Sequence, residues 1–163
     1  YESVSKLIVM GKTDVIKIIS LNRKAKFNYQ LMETLEAGLS LLGSEIKSAR
    51  TGNAQLRDAF VEPINNELWL QNAHIAPYKM SHSQNHDPMR PRKLLLHRRE
   101  INKLIIKTRE AGLTIIPTKM YLRHGRAKIE IAVARGKRQY DKRQSIAERE
   151  MKRSMRRQLG RRK

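Results

Sequence analysis

The chain has 163 residues, 39% of them hydrophobic, with 35 Lys plus Arg against 15 Asp plus Glu, a formal net charge of +20, and no cysteine. That apolar share supports one domain with a modest core, no apolar run approaches the ~20 residues of a membrane-spanning helix, and without thiols there is no disulfide framework, thiolate zinc site or thiol nucleophile. So large a positive surplus repels itself and points to an anionic partner, nucleic acid first and an acidic membrane surface second.

Residues 1–15 read as an extension with no assigned role, and a short strand over 16–21 leads into a basic turn of Asn22, Arg23, Lys24, Ala25 and Lys26. Over 31–42, Leu31, Leu35, Ala37, Leu39 and Leu41 alternate with Met32, Thr34, Glu36, Gly38 and Ser40, Glu33 being the exception, which predicts a long half-buried strand. Gly43 and Gly52 bracket a short helix carrying Ile46 and Ala49 at helical spacing. Strands over 56–62 and 67–71, with Pro63, Asn65 and Asn66 between them, read as a hairpin.

Residues 76–93 hold Pro77, Pro88 and Pro91 among Ser, His and Asn and read as a long loop, a class of segment that carries function or moves. A helix is expected over 98–111, with Ile101, Leu104 and Ile105 on one face and Gly112 as its stop. Strands over 115–123 and 126–134, joined by His124 and Gly125, form a tight hairpin, and in the second Ala127, Ile129, Ile131 and Val133 face one way while Arg126, Lys128 and Glu130 face outward. The last 29 residues, 135–163, carry 13 Lys plus Arg and 3 acids, so a boundary falls after Ala134. The fold class that follows is mainly β (α+β): a small OB-like antiparallel β-barrel over 16–134, with two or three helices and a basic C-terminal tail over 135–163.

The sequence contains no phosphate-binding glycine loop, no Gly-x-Ser-x-Gly and no two-His-plus-Glu zinc helix, so neither an enzyme nor a cofactor is expected. His82, His86 and Asp87 come nearest to a metal set, but the plainer reading, polar loop residues, is preferred and no metal is expected. Phe27, Phe60, Trp69 and five Tyr are too few and too scattered for a base-stacking platform, so RNA recognition would rest on charge, shape and a few polar contacts.

Four constellations can supply such contacts. Asn22, Arg23, Lys24 and Lys26 can contact phosphates while the amide reads a base edge or sugar, or they form a solvated turn. Glu36 beside Gly38 can accept from guanine N–H groups, or it pairs with a neighbouring Lys. Arg90, Arg92 and Lys93 can clamp phosphates while one of Leu94, Leu95 and Leu96 packs on a base, although core packing is the simpler role for the leucines. In the tail, Ser145 and Glu148 have capping-box spacing, and Ala147, Met151, Met155 and Leu159 repeat every four residues up to Gly160. A helix of that length, ~21 Å, is marginal alone in water, so the tail is expected to be disordered when free and helical in an anionic groove. Cap and stripe do not separate RNA from a membrane surface.

Several strings, taken together and in order, resemble the SmpB (small protein B) family. They are Asn22-Arg23-Lys24-Ala25-Lys26, Glu36-Ala37-Gly38, Gly43-Ser44-Glu45-Ile46-Lys47-Ser48, His86-Asp87-Pro88, the run from Arg92 to Glu100, Ala134-Arg135-Gly136-Lys137 and Tyr140-Asp141-Lys142-Arg143. The resemblance implies an oligonucleotide-binding-type barrel that holds the tRNA-like domain of tmRNA in bacterial trans-translation. It also implies a tail that becomes helical in the empty mRNA channel of a stalled ribosome, downstream of the small-subunit decoding centre. By that resemblance Asn22, Arg23, Glu36, Leu95 and Lys128 match residues implicated in binding tmRNA, which turns Leu95 from core to contact.

Lys24, Arg92, Lys93 and Lys137 complete the candidate RNA-binding set. Tyr140, Asp141, Lys142 and Arg143 match the decoding-site segment, and Met151, Met155 and Leu159 lie in the channel-inserting part. The implied partners are tmRNA, the ribosome and elongation factor Tu with GTP, with no membrane. A monomer is expected when free, in a bacterial cytoplasm or a plastid stroma. Where the family usually has His followed by an acid, this chain has Phe27 and Asn28. The alternatives are a ribosomal protein with a basic tail threaded into rRNA, and an RNA-processing nuclease, for which Glu33, Glu36, Glu45 and Asp58 supply no obvious acid cluster.

Overall fold

A computed structural model describes residues 7–9, 15–81 and 85–160. In chain order the elements are β1 (Leu7–Val9), β2 (Val15–Leu21), α1 (Ala25–Asn28), β3 (Tyr29–Leu39), α2 (Gly43–Arg50), β4 (Ala54–Gln55), β5 (Phe60–Ile64), β6 (Glu67–Gln71), β7 (His74–Ile75), β8 (Arg92–Leu95), α3 (Arg98–Thr108), β9 (Leu113–Arg123), β10 (Arg126–Gly136) and α4 (Gln139–Gly160). The main sheet runs β1-β2-β9-β10-β3-β8-β6-β5, and β5 pairs with β9 as well as β6, so the strands from β9 round to β5 close into an antiparallel barrel. Closure pairs backbone groups that would otherwise form an open edge.

The predicted alternation places the core. Ala37 and Leu39 of β3 and Ile129, Ile131 and Val133 of β10 point inward with Leu68, Leu70 and Leu94, and α3 covers them with Ile101 and Leu104. Each fully buried Leu or Ile contributes about 1.5–3 kcal/mol relative to exposure. Glu33, the exception in the β3 pattern, faces α3 and binds Lys103 Nζ at 2.6 Å and Lys107. Both hairpins turn on residues of positive φ, Asn65 (50°) with Asn66 (60°) and His124 (49°) with Gly125 (72°), the conformation whose twist matches paired strands.

Several boundaries differ from expectation: β3 covers Tyr29–Leu39 rather than 31–42, α3 ends at Thr108, β10 runs on to Gly136, and Ala25–Asn28 of the basic turn is helical. Residues 56–59 form a turn, closed by Ala59 N donating to Leu56 O (3.2 Å), so the first hairpin strand starts at Phe60. The end of the long loop is strand β8, held between β3 and β6. Leu7–Val9, within the expected extension, forms a strand that pairs antiparallel with β2. Helix α4 begins at Gln139 rather than Ser145, whose hydroxyl is not a cap but donates to Asp141 O (2.9 Å) inside the helix.

The loop segment that leads into β8 is pinned by buried charge. Glu45 of α2 and Arg92 of β8 are both fully buried, with Arg92 Nε 2.9 Å from Glu45 Oε1, Nη1 2.5 Å from Ala73 O and Nη2 3.0 Å from Pro88 O. Arg90 Nη2 (2.7 Å) and Leu42 N (2.7 Å) also donate to Glu45. Burial alone would push the Glu45 carboxyl up, but these donors outweigh it and hold the carboxyl below its ordinary range.

Candidate nucleic-acid interface

Three strands distant in sequence build one outer face. Gly38 of β3 is paired with Lys128 of β10 on one side and with Leu95 of β8 on the other, and Glu36 lies two residues back on the same face. The Glu36 carboxylate accepts a hydrogen bond from Tyr121 Oη and lies 3.5 Å from Lys128 Nζ and 3.7 Å from Arg123 Nη1. The Tyr121 bond, opposed by burial and aided by Lys128 and Arg123, lowers the Glu36 pKa, while burial and the Glu36 bond push the Tyr121 phenol up. Glu36 is therefore an anchored carboxylate, able to act only as an acceptor, on a basic surface.

Leu95 is 53% exposed whereas Leu94 is buried, so the strand's alternation divides the leucines between face and core. A Cβ at Gly38 would lie 3.1 Å from Leu95 Cβ, so the glycine leaves room for Leu95 to lie across the strand. Lys93, half-buried, is 3.5 Å from Glu67 Oε1 at the margin of the same face. Sequence reasoning missed Tyr121 and Arg123 as partners of Glu36, and it noted Arg126 only as outward-facing; Arg126 shares the parity of Lys128 along β10, which was the available signal.

The basic turn has a different local cause. Pro117 and Thr118 sit at a bulge where β9 slips against β10, and Asn22 covers it: its backbone N donates to Thr118 O (2.8 Å) and its Nδ2 to Pro117 O (2.9 Å). Asn22 thus positions the turn, leaving Arg23 and Lys24 exposed as the cations. Helix α1 follows with Ala25 packed against Ile116 and Ala134 in a small cluster apart from the core. Lys137 joins this corner, its N donating to Asn28 O (2.9 Å) and its Nζ to Lys26 O (3.0 Å). Lys128 and Lys137 are nine residues apart along and just past β10, roughly 30 Å at strand rise. The predicted residues therefore fall into two basic zones.

Arg92 belongs to neither zone. With its guanidinium buried on Glu45, Ala73 and Pro88, it clamps the loop and has no surface to offer a phosphate. His86 is likewise engaged, Nδ1 with Ser44 Oγ and Nε2 with Ile75 O, both at 2.9 Å, and Asp87 Oδ1 accepts from Met89 N (2.9 Å). His82 lies outside the described residues.

In α4, Tyr140, Met151, Met155 and Leu159 are 69%, 61%, 54% and 71% exposed, and Asp141 and Arg143 are exposed too, with Lys142 half-buried. Midway along its length the helix meets α1, where the Arg149 guanidinium carbon lies 5.4 Å from the centroid of the Phe27 ring, a cation–π contact made at the position of the departure from the family pattern.

Comparison with known proteins matches the SmpB protein family model to residues 19–161. An SsrA-binding protein of Thermobifida fusca is 58% identical over 147 residues, 90% of this chain and 92% of its own length. One from Staphylococcus carnosus is 54% identical over 138 residues, 85% and 88% of the two chains. Among solved structures, a chain from "tmRNA-SmpB: a journey to the center of the bacterial ribosome" superposes with a TM-score of 0.63 at 41% identity, over 77% of this chain and 92% of that one.

Proposed function

Because this chain belongs to the SmpB protein family, we propose that it is an RNA-binding adaptor of trans-translation. Its barrel binds the tRNA-like domain of tmRNA and brings that RNA to stalled ribosomes, and its C-terminal tail enters the empty mRNA channel beyond the decoding centre. The relatives it matches are SsrA-binding proteins, and the superposed chain comes from a structure of tmRNA and SmpB on the bacterial ribosome. The observation that carries the reading is the meeting of Glu36, Leu95 and Lys128 around Gly38 on one outer face.

On that face each side chain has a distinct physical role. Lys128 supplies a cation for phosphate, Leu95 an apolar surface for an unstacked base, and Glu36 an oriented acceptor for base or sugar donors. Arg23, Lys24 and Lys137 extend the phosphate contacts to the α1 corner, and the net charge of +20 speeds the encounter. Nothing in this scheme asks the protein for a bond-making step; peptide transfer belongs to the ribosome and the charged RNA. Delivery together with elongation factor Tu and GTP, by a monomer in the bacterial cytoplasm, completes the proposal.

The test is competition at ~0.15 M salt, near physiological ionic strength, between the tRNA-like domain of tmRNA and an ordinary alanine tRNA. A strong preference for the former is expected. Equal binding would leave only generic charge and favour a ribosomal protein with a tail threaded into rRNA.

A further inference from the structure

The β3–β10 ladder ends at Gly38–Lys128, and beyond it the β3 chain turns toward β8, where Ser40 N donates to Lys93 O at 3.0 Å. The strands part there, leaving an open groove of about 410 Å³ between the end of β3, α2 and the β9–β10 turn. Leu39, Leu41, Ile46 and Leu95 line it with apolar surface, Arg126 and Lys128 stand in it as cations, and among the described residues no acid lines it. The turn that forms its far side is braced and basic, because Arg50 Nη2 donates to Gly125 O (3.2 Å) and Lys17 Nζ donates to Arg50 O (3.0 Å). Lys128 also borders the surface around Glu36, so the groove continues that face rather than forming a separate site.

An apolar slot with cations and no acid suits a ligand that is flat and apolar in one part and anionic in the next. A nucleotide of a single-stranded loop is such a ligand. An apolar peptide would fill the lining but bring no anion to Arg126, and Lys128 would keep only Glu36 at 3.5 Å. We propose that the groove receives one unstacked nucleobase of the bound RNA, with Arg126 and Lys128 on the phosphates beside it. The inference rests on the reading that the barrel face binds RNA, and it assigns Leu41, Ile46 and Arg126 to that interface.

The full chain with 13C-labelled Leu and Ile methyls, titrated with the tRNA-like domain of tmRNA, tests it. A base in the groove shifts the Leu41 and Ile46 methyls upfield by ring current, together with those of Leu95. Arg126→Gln, a change at an exposed side chain, is expected to weaken binding by roughly three- to tenfold and to lower the salt slope by about 1. If the RNA binds with its preference over alanine tRNA intact while the Leu41 and Ile46 methyls stay in place, the groove assignment is overturned and the RNA-binding reading stands. If that preference is absent, the reading itself fails. Movement of these methyls with phosphatidylglycerol vesicles but not with RNA would assign the groove to lipid and also overturn the proposal.

Discussion

In the barrel, Ile129 and Ile131 are fully buried and β10 is paired with both β3 and β9, while in α4 Met151, Met155 and Leu159 stand 61%, 54% and 71% exposed. The barrel's order comes from burial and pairing that it completes within itself. The tail's helix follows from local hydrogen bonding and its approach to α1, with a thin apolar stripe turned outward. The contrast separates a barrel whose apolar groups are covered from within and a helix whose apolar stripe is left open.

The largest expected effect comes from removing the tail after Arg138, which deletes α4 and keeps Lys137 at the α1 corner. Binding of the tRNA-like domain should stay largely unchanged while peptide tagging on stalled ribosomes is lost, and hydrogen exchange over 139–160 should be fast in the free protein and slowed on the ribosome. Loss of tmRNA binding in the truncated chain would break the division.

Next in size is Arg92→Met, which strands the fully buried Glu45 with only its more exposed partner Arg90 and the Leu42 N–H. A destabilisation of about 3–5 kcal/mol is expected, read from the urea midpoint. An unchanged midpoint would mean that Arg92 is not a clamp, and would restore it as a candidate phosphate contact.

Lys128→Ala should weaken tmRNA binding and lower the salt slope by about 1, with tail function on an already loaded ribosome unaffected. An unaltered slope would show that Lys128 makes no phosphate contact. The smallest effect concerns Glu33, whose hydrogen bonds from Lys103 and Lys107 lower its pKa to about 2. A carboxyl depressed in the folded state contributes stability that is present above its unfolded pKa and is lost as pH falls toward about 2. Glu33→Gln should therefore flatten the acid limb of the stability curve and leave neutral RNA binding alone; equal acid limbs would argue that the pair is fully screened.

Much of the fold was legible where the signal is local. The period-two pattern of β3 and β10, the His124–Gly125 turn, α3 and the apolar repeat of the tail all depend on neighbours in the chain, and the structure contains each of them. The family strings were equally visible, but they mix two kinds of residue. Glu36, Leu95 and Lys128 lie on the outer face, whereas Ser44, Glu45, His86 and Arg92 build the buried clamp under the loop. Nothing in a run of basic residues distinguishes a solvated arginine from one neutralised by an acid 47 positions earlier.

The same limit hid β8, which is a strand because β3 and β6 supply its partners, and it hid the task of Asn22, whose amide answers a bulge carbonyl 95 residues away. Composition, periodicity and turn chemistry are properties of adjacent residues, so charge, element types and the basic tail could be read directly. Which cations face water, which leucine faces outward and where two strands part to leave a groove depend on long-range pairing, because burial and charge compensation exist only once distant segments meet.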